Sequence, residues 1–333
     1  MKRFLAVDQG GSKTEALVFS ENGEILAFAD DRDARAPGES YRSSQGRWIR
    51  CATERALEKA GLALGDLSGA CCALNGADWP ADYIRLRGLV SGEISLAERQ
   101  IRIVNDCIGA MRGGADRGDR AVLCLGTGMN CAVRSAAGDE YIFGYFVAPA
   151  DQGGSALGSR AWGCVLDACN GLGEKTALTE LVLQKYGKSG KSDFAELYSE
   201  ITAGALGFKV YDLCPLLMRA AKARDGVAAH ILRTSGERMI RYVEEGAKKL
   251  GLAGAPIALV LAGGVFKGDG AVFFETLERI AAERELNIVC VRPRCEPVAG
   301  AALLLLDELA GPERAEALSR FDSCAARFGL KQA

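Results

Sequence analysis

The chain is short of the residues and patterns that most often betray a function. It has one histidine, His230, in 333 residues. A zinc centre needs close Cys/His spacing, which is missing here. His230 lies in an apparently helical stretch and reads as a surface or packing residue. The twelve cysteines, at 51, 71, 72, 107, 124, 131, 164, 169, 214, 290, 295 and 324, form no C-x-x-C pair. Their surroundings are not those of a small disulfide scaffold. Many sit in apolar runs such as "VLCLGTG" and "NIVCVRP", which reads as reduced core thiols of a cytoplasmic protein. Charge of either sign is not in excess: the net is −2. Nucleic-acid and membrane-surface binders carry a basic excess or stripe, so no nucleic acid or membrane partner is expected. No apolar run approaches the ~20 residues of a membrane span. After Met-Lys-Arg only Phe4 to Val7 are apolar before Asp8 interrupts, too few for a secretory h-region. Neither glycine turn near a strand spells a P-loop or a G-x-G-x-x-G fingerprint.

What is present is an ordinary globular composition, 49% apolar and 25% charged, in a chain long enough for two domains. The first third reads β-β-β-α-β-α-β-α, an α/β pattern. Phe4–Val7, Thr14–Ser20 and Glu24–Ala29 read as strands, the last after the turn signal "ENG". About Gly46–Leu62 carries apolar residues at helical spacing, Trp48, Ile49, Ala52, Ala56, Leu57 and Ala60. The strand "GACCALNG", a helix after Pro80, and the strand "IRIV" ending at Asn105-Asp106 follow. Gly113-Gly114 and "DRGD" suggest a boundary near residue 116. The pattern then restarts with "AVLCLGTGMNCAVRS", again strand, glycine turn, strand. "EYIFGYFV" reads as a third strand, residues 155–250 as mostly helix, and "PIALVLAGGVF" as a buried strand ending in glycines. Two domains are expected, 1–115 and 116–333, with the last helix packing back on the first. A duplicated α/β unit places a ligand cleft between the copies.

Three glycine-rich segments carry the chemistry. In "FLAVDQGGSKTEALVF" the glycines Gly10 and Gly11 let backbone N–H groups approach an anion closely. Ser12 and Thr14 add hydroxyl donors and Lys13 a positive charge. Asp8, at the strand end, is placed to hold Mg²⁺ directly or through water. For this one turn taken alone, a plain hairpin with Asp and Gly serving turn geometry is the favoured account. "VLCLGTGMN" repeats the arrangement at Gly126, Thr127 and Gly128. "LVLAGGVFKGDG" sets Gly263 and Gly264 after a strand, where a flat base and ribose can lie against backbone. "EPVAGAALLLLDEL" has a proline near a helix start and small residues that allow close helix approach.

Together these segments resemble the actin/hexokinase/Hsp70 ATPase superfamily. Within it the chain is most similar to the N-acetylglucosamine kinase and BadF/BadG-type ATPase family, over nearly its whole length. "AVDQGGSKTEALV" resembles the first phosphate motif, "CLGTGMNCAV" the second, "IVNDCIGAM" and "EPVAGAALL" the two connecting motifs, and "LAGGVF" the adenosine motif. The resemblance implies two ribonuclease-H-like domains closing over Mg-ATP, and a homodimer. It also implies that Asp106 is the general base of phosphoryl transfer to an amino-sugar hydroxyl. Helix N-capping is the plainer role for Asp106, and Asn105 can cap equally well. For the sugar it implies Asn75, Gly76 and Asp78 in "LNGADW", Asn130 after "GTGM", and Asp151 in "DQGGSALG". This sequence departs from the family pattern at Gln152, usually Glu, and at Gly154, usually Ser. "FGYFVAPA" replaces a Gly-Trp-Gly segment, and "ARAPGESYRSSQG" lacks an Asn-containing sugar motif. Two other functions share the frame: an ATPase activator driving electron transfer into a reductase or dehydratase, and a sugar sensor without turnover.

Overall fold

A computed structural model describes residues 1–11, 13–31, 41–188, 190, 193–308 and 311–332. The chain divides into two compact units, Met1–Arg117 with Val291–Ala333, and Gly118–Cys290. Residues 291–333 thus fall with the first unit, where the sequence reading leaves all but the last helix in the second domain.

The first unit opens with β1 (Arg3–Gln9), β2 (Thr14–Ser20) and β3 (Ile25–Asp30), followed by helix α1 (Tyr41–Ala60). Then come β4 (Gly69–Leu74), α2 (Pro80–Ile94), β5 (Ile101–Asn105) and α3 (Asp106–Gly114). The sheet order is β3-β2-β1-β4-β5. β1 pairs antiparallel with β2 and parallel with β4, and β4 pairs parallel with β5. β1, β2 and β4 are apolar over most of their length because both sheet faces are covered. Their interior residues are almost wholly buried. α1 packs on β2 and β3. Its Trp48, Ile49, Ala52 and Ala56 are buried there, at the helical spacing the sequence shows. Burying each large apolar side chain contributes about 1.5–3 kcal/mol.

Helices α10 (Pro297–Leu306) and α11 (Gly311–Arg327) close this unit. α10 lies against α3. The approach depends on glycine: a Cβ on Gly300 would sit 1.9 Å from the Gly109 carbonyl oxygen. Pro297 takes the first turn of α10, where its missing N–H costs no hydrogen bond. The Phe321 ring of α11 meets Phe19 of β2 edge-on, at 6.0 Å between centroids.

The second unit repeats the plan. It holds β6 (Arg120–Leu125), β7 (Met129–Arg134), β8 (Glu140–Ile142), β9 (Ile257–Ala262) and β10 (Ile288–Val291), the last crossing the unit boundary by one residue. Helices α4 (Gly153–Asn170), α5 (Ala177–Lys185), α6 (Phe194–Thr202), α7 (Cys214–Lys222) and α8 (Gly226–Lys249) lie between β8 and β9, and α9 (Ala271–Glu283) between β9 and β10. The sheet order is β10-β9-β6-β7-β8. β6 pairs antiparallel with β7 and parallel with β9. Counted within its own unit, each sheet has the order 3-2-1-4-5. The third strand is shorter than "EYIFGYFV" suggests. It ends at Ile142, and Gly144–Phe146 forms a 3₁₀ turn, with the Gly144 N–H donating to Asn130 Oδ1 at 3.0 Å.

All twelve cysteines are free thiols. Cys169, near the end of α4, is exposed. No helix among the described residues is long and apolar enough to cross a membrane.

Candidate functional site

In the first unit the parallel register brings three strand ends to one edge. Gln9 of β1 is level with Leu74 of β4, and Leu74 with Asn105 of β5. Asp8, the Gly10–Lys13 turn, the Asn75–Asp78 loop and Asp106 therefore share that edge. This is where open α/β sheets gather ligands.

The hairpin turn closes with the Gly10 N–H donating to the Lys13 carbonyl at 3.1 Å. Ser12 lies outside the described residues. Thr14 is buried: its N–H donates to Asp31 Oδ1 at 2.8 Å, and its hydroxyl accepts from Gln9 Nε2 at 2.9 Å. Its hydroxyl therefore serves the hairpin. Asp8 is 5% exposed and faces Glu15, its cross-strand partner, which is 7% exposed. Burial pushes the Asp8 carboxyl well above the usual range, and the charges of Glu15, Asp106 and Glu296 add to the push while Lys13 opposes it. The Lys13 ammonium lies 2.7 Å from Glu15 Oε1 and 3.9 Å from Glu296 Oε2. Burial works against that ammonium, but the charge and hydrogen bond of Glu15 outweigh it and the Lys13 pKa is raised. Glu15 Oε2 is buried with no hydrogen-bond partner.

On the next loops, Asn75 is fixed through its backbone. Its N–H donates to the Gln9 carbonyl at 2.8 Å and its carbonyl accepts from Gln45 Nε2 at 3.3 Å. Gly76 turns the chain in the left-handed region, at φ 78°. Asn105 is the residue that caps α3: its Oδ1 accepts the Cys107 N–H at 3.0 Å. Asp106 is the first residue of the helix proper, and its Oδ1 accepts from the same N–H at 2.9 Å. Burial raises the Asp106 carboxyl to about 7, with the Asp78 charge adding and backbone hydrogen bonds opposing. A carboxylate poised near neutrality is suited to general-base work.

In the second unit the equivalent hairpin turn, Gly126-Thr127-Gly128, is exposed at its tip. Its carbonyls are engaged from below by the start of α4. The Gly154 N–H donates to the Gly126 carbonyl at 2.9 Å, and the Ser155 N–H to the Thr127 carbonyl at 3.0 Å. A Cβ on Gly153 would stand 2.1 Å from the Gly128 carbonyl oxygen, and its φ is +39°. Gly263 follows β9 at φ +104°, with the Leu125 carbonyl oxygen 2.3 Å from any Cβ it carried, while Gly264 faces open space. Gln152 spans the turn. It accepts the Met129 N–H at 3.1 Å and donates to the Val147 carbonyl at 3.2 Å. A glutamate could make only the first of these bonds, because a carboxylate has no donor.

Asn130 Oδ1 accepts the N–H groups of Cys131 and Gly144. Asp151 is 6% exposed, and its Oδ2 accepts from Tyr242 Oη at 2.7 Å and from Arg238 Nε at 2.9 Å. Arg160 lies 3.8 Å from its other oxygen. Among the described residues no group of three or more His, Cys, Asp or Glu side chains converges as a metal cage.

Four residues escape the sequence reading. Glu15 had a signal, since a two-residue turn offset puts it opposite Asp8 in the hairpin. Glu296, Arg238 and Tyr242 reach their partners across 87 to 283 positions, and no local pattern announces them.

The profile of the BadF/BadG/BcrA/BcrD ATPase family matches residues 5–304. An N-acetyl-D-glucosamine kinase of Dictyostelium discoideum is 25% identical over 91% of this chain and 98% of its own. An N-acetylmuramic acid/N-acetylglucosamine kinase of Clostridium acetobutylicum is 23% identical over 83% of this chain and 89% of its own. The crystal structure of a Chromobacterium violaceum protein described as an N-acetylglucosamine kinase superposes with a TM-score of 0.63. It is 23% identical and covers 92% of this chain and 99% of its own, and at that identity the likeness speaks for the fold. The fold is that of actin-like ATPases, two α/β domains of one plan.

Proposed function

The chain belongs to the BadF/BadG/BcrA/BcrD ATPase family, and on that premise we propose that it is an ATP-dependent kinase acting on a hydroxyl of an amino sugar. The observation that carries the reading is Asp106, a carboxyl held near 7 at the ligand edge of the first sheet. At neutral pH a large part of it is ionised and able to take a proton. The acceptor hydroxyl oxygen attacks the γ-phosphorus, the bond from that phosphorus to the β,γ-bridging oxygen breaks, and ADP leaves. The hydroxyl proton passes to Asp106. The named curated relatives, both kinases of N-acetylated amino sugars, agree in kind.

Gly10, Gly11 and Lys13 are the first-unit groups for the phosphates, with Thr14 buried beneath them. Gly126, Thr127 and Gly128 are their second-unit counterparts, and Gly263 and Gly264 suit the nucleoside. The first-unit edge also fits Mg²⁺. Asp8 is an oxygen donor whose carboxyl is pushed up by burial and then by its acidic neighbours, and Glu15 Oε2 beside it is buried with no hydrogen-bond partner. Mg²⁺ takes one or two carboxylates and fills its other positions with water and phosphate, so a full protein cage is not required. When bound, it neutralises charge on the transferring phosphates. Asn75 and Gly76, on the loop beside Asp106, are the first-unit groups for the acceptor, while Asp78 on the same loop accepts from the Asn105 amide and faces Asp106. Asn130 acts in the second unit by shaping backbone, since its oxygen accepts two backbone N–H groups, and Asp151 by holding the Tyr242 and Arg238 side chains.

The redox-activator reading needs a cysteine able to hold a cluster after the second glycine turn. Cys131 is there, but it is fully buried and its thiol is pushed well up by that burial.

The test is ADP release from Mg-ATP across hexosamines, N-acetylhexosamines and plain hexoses, with wild type and Asp106→Asn. Stimulation by one sugar, lost in the variant, is expected. Equal slow hydrolysis in both proteins with every sugar would overturn the kinase reading.

A further inference from the structure

Asn105 does more than an N-cap requires. It is wholly buried, and both ends of its amide are engaged. Its Oδ1 accepts the Cys107 N–H at 3.0 Å, which is the cap. Its Nδ2 donates in the other direction, to Asp78 Oδ1 at 2.8 Å and to the Ala77 carbonyl at 3.2 Å. Ser, Asp and Asn cap about equally well. Only Asn supplies an acceptor for the helix and a donor for the loop at once. Asp at this position would set a second carboxylate against Asp78 and the Ala77 carbonyl. Ser would cap but fall short of the loop.

Taking Asp106 as the base, we propose that Asn105 is a positioning residue whose amide ties the Asp78 loop to the first turn of α3, holding Asp78 and Asp106 as a fixed carboxylate pair. The Cys107 N–H is the shared point. It is donated to both Asn105 and Asp106, so a shift of one side chain disturbs the other. Asp78 then acts through Asp106, by its charge, and not as a ligand of the acceptor. The charged groups around this corner are Asp78 from the β4–α2 loop and Asp8 from β1, with Glu15, Lys13 and Glu296 behind Asp8. Asp78 is the side-chain charge that raises the Asp106 pKa, after burial itself.

The experiment compares Asn105→Ser, Asp78→Asn and Asp106→Asn with the full-length wild type, reading kcat, both KM values and the pH profile of kcat/KM. Asn105→Ser keeps the cap and cuts the tie. Its kcat is expected to fall roughly 10–100-fold with KM for ATP unchanged, the usual scale for a displaced catalytic group. Asp78→Asn keeps an oxygen for the Asn105 amide and removes the charge. Its plateau kcat should stay within a few-fold of wild type. The acid limb of its profile, where the base gains its proton, should move to lower pH by about one unit. If Asn105→Ser is too unstable to assay, Asp78→Asn decides alone. A raised KM for the acceptor with an unmoved acid limb in Asp78→Asn would make Asp78 a ligand and overturn the proposal. So would a wild-type kcat in Asn105→Ser. If Asp106→Asn itself keeps full activity, the base assignment fails first, and this inference with it.

Discussion

The two sheets have one topology and opposite electrostatic characters at the equivalent edge. In the first unit the hairpin of β1 and β2 and the loop after β4 gather Asp8, Glu15, Asp78 and Asp106. Burial drives two of these carboxyls upward, with Glu15 and Asp106 adding to the push on Asp8 and Asp78 to that on Asp106. In the second unit the hairpin of β6 and β7 and the loop after β9 are glycine and backbone, and the nearby polar side chains are engaged by protein. Asn130 holds the 3₁₀ turn, Gln152 staples the hairpin, and Asp151 is bound by Tyr242 and Arg238. A duplicated fold has thus divided its labour: the first edge stores unfavourable charge that chemistry can use, and the second stores geometry.

The comparison breaks most easily at Asp106. Asp106→Asn should lower kcat by about 10²–10⁴-fold, the usual contribution of a general base. The melting temperature should hold or rise, because the variant removes a charge that its partly buried site disfavours. Asp151→Asn, its counterpart on the second edge, should do the reverse: a modest change in kcat with lost stability. Equal loss of kcat in both variants would refute the division.

The second edge should fail through its backbone. Gly153→Ala places a Cβ into the Gly128 carbonyl and strains a positive φ, so about 3 kcal/mol or more of stability should go. Gly126→Ala, in the hairpin turn that Gly153 packs against, meets nothing within 4 Å. It should keep the wild-type melting curve and lose only nucleotide affinity, read by titration calorimetry. A matching fall in melting temperature for both would show that the turn is not held from below by α4.

Sequence carried the fold well and the division of labour poorly, for a physical reason. The order β-β-β-α-β-α-β-α, the cap at Asn105-Asp106 and the small-residue face of α10 rest on periodicity and turn chemistry, which act over a few residues. The restarted pattern at 121–135 likewise announced a second copy of the plan. The state of each polar residue rests on partners far along the chain. Nothing near Asp151 shows that Tyr242 and Arg238 will take its oxygen, and nothing near Lys13 shows Glu296. "EYIFGYFV" misled because its aromatics favour strand locally. The Asn130 amide instead accepts the Gly144 N–H and turns the chain after Ile142. Residues 291–333 misled because the chain returns to the first unit only through β10 and α10.

A smaller effect follows from pH. The Asp106 carboxyl has a folded pKa near 7, against an ordinary value of 3.8. Between those values the native state binds more protons than the unfolded chain, so stability falls as pH rises through that window. Each pKa unit is worth about 1.4 kcal/mol. With Asp106 partly open to solvent the loss should be roughly 2 kcal/mol, discounted for that exposure. Denaturant midpoints at pH 4.5 and 7.5 should differ less in Asp106→Asn than in wild type. An unchanged difference would mean that Asp106 titrates normally and would remove the physical basis of its proposed role.

The finest probe is Tyr242→Phe. The hydroxyl donates to Asp151 Oδ2 and accepts the Ala148 N–H at 3.2 Å. Its loss leaves that N–H unpaired and the carboxylate with Arg238 as its remaining close donor, which should cost about 1–2 kcal/mol. At about 2–4 °C per kcal/mol for a unit of this size, the melting temperature should drop by a few degrees. If Asp151 serves the scaffold, kcat and the KM for the acceptor stay within a few-fold of wild type. If Asp151 instead reads the acceptor, Tyr242→Phe frees one of its oxygens, and the acceptor KM changes while the melting curve barely moves. That pattern would place binding chemistry on the second edge and end the separation between a charged edge and a geometric one.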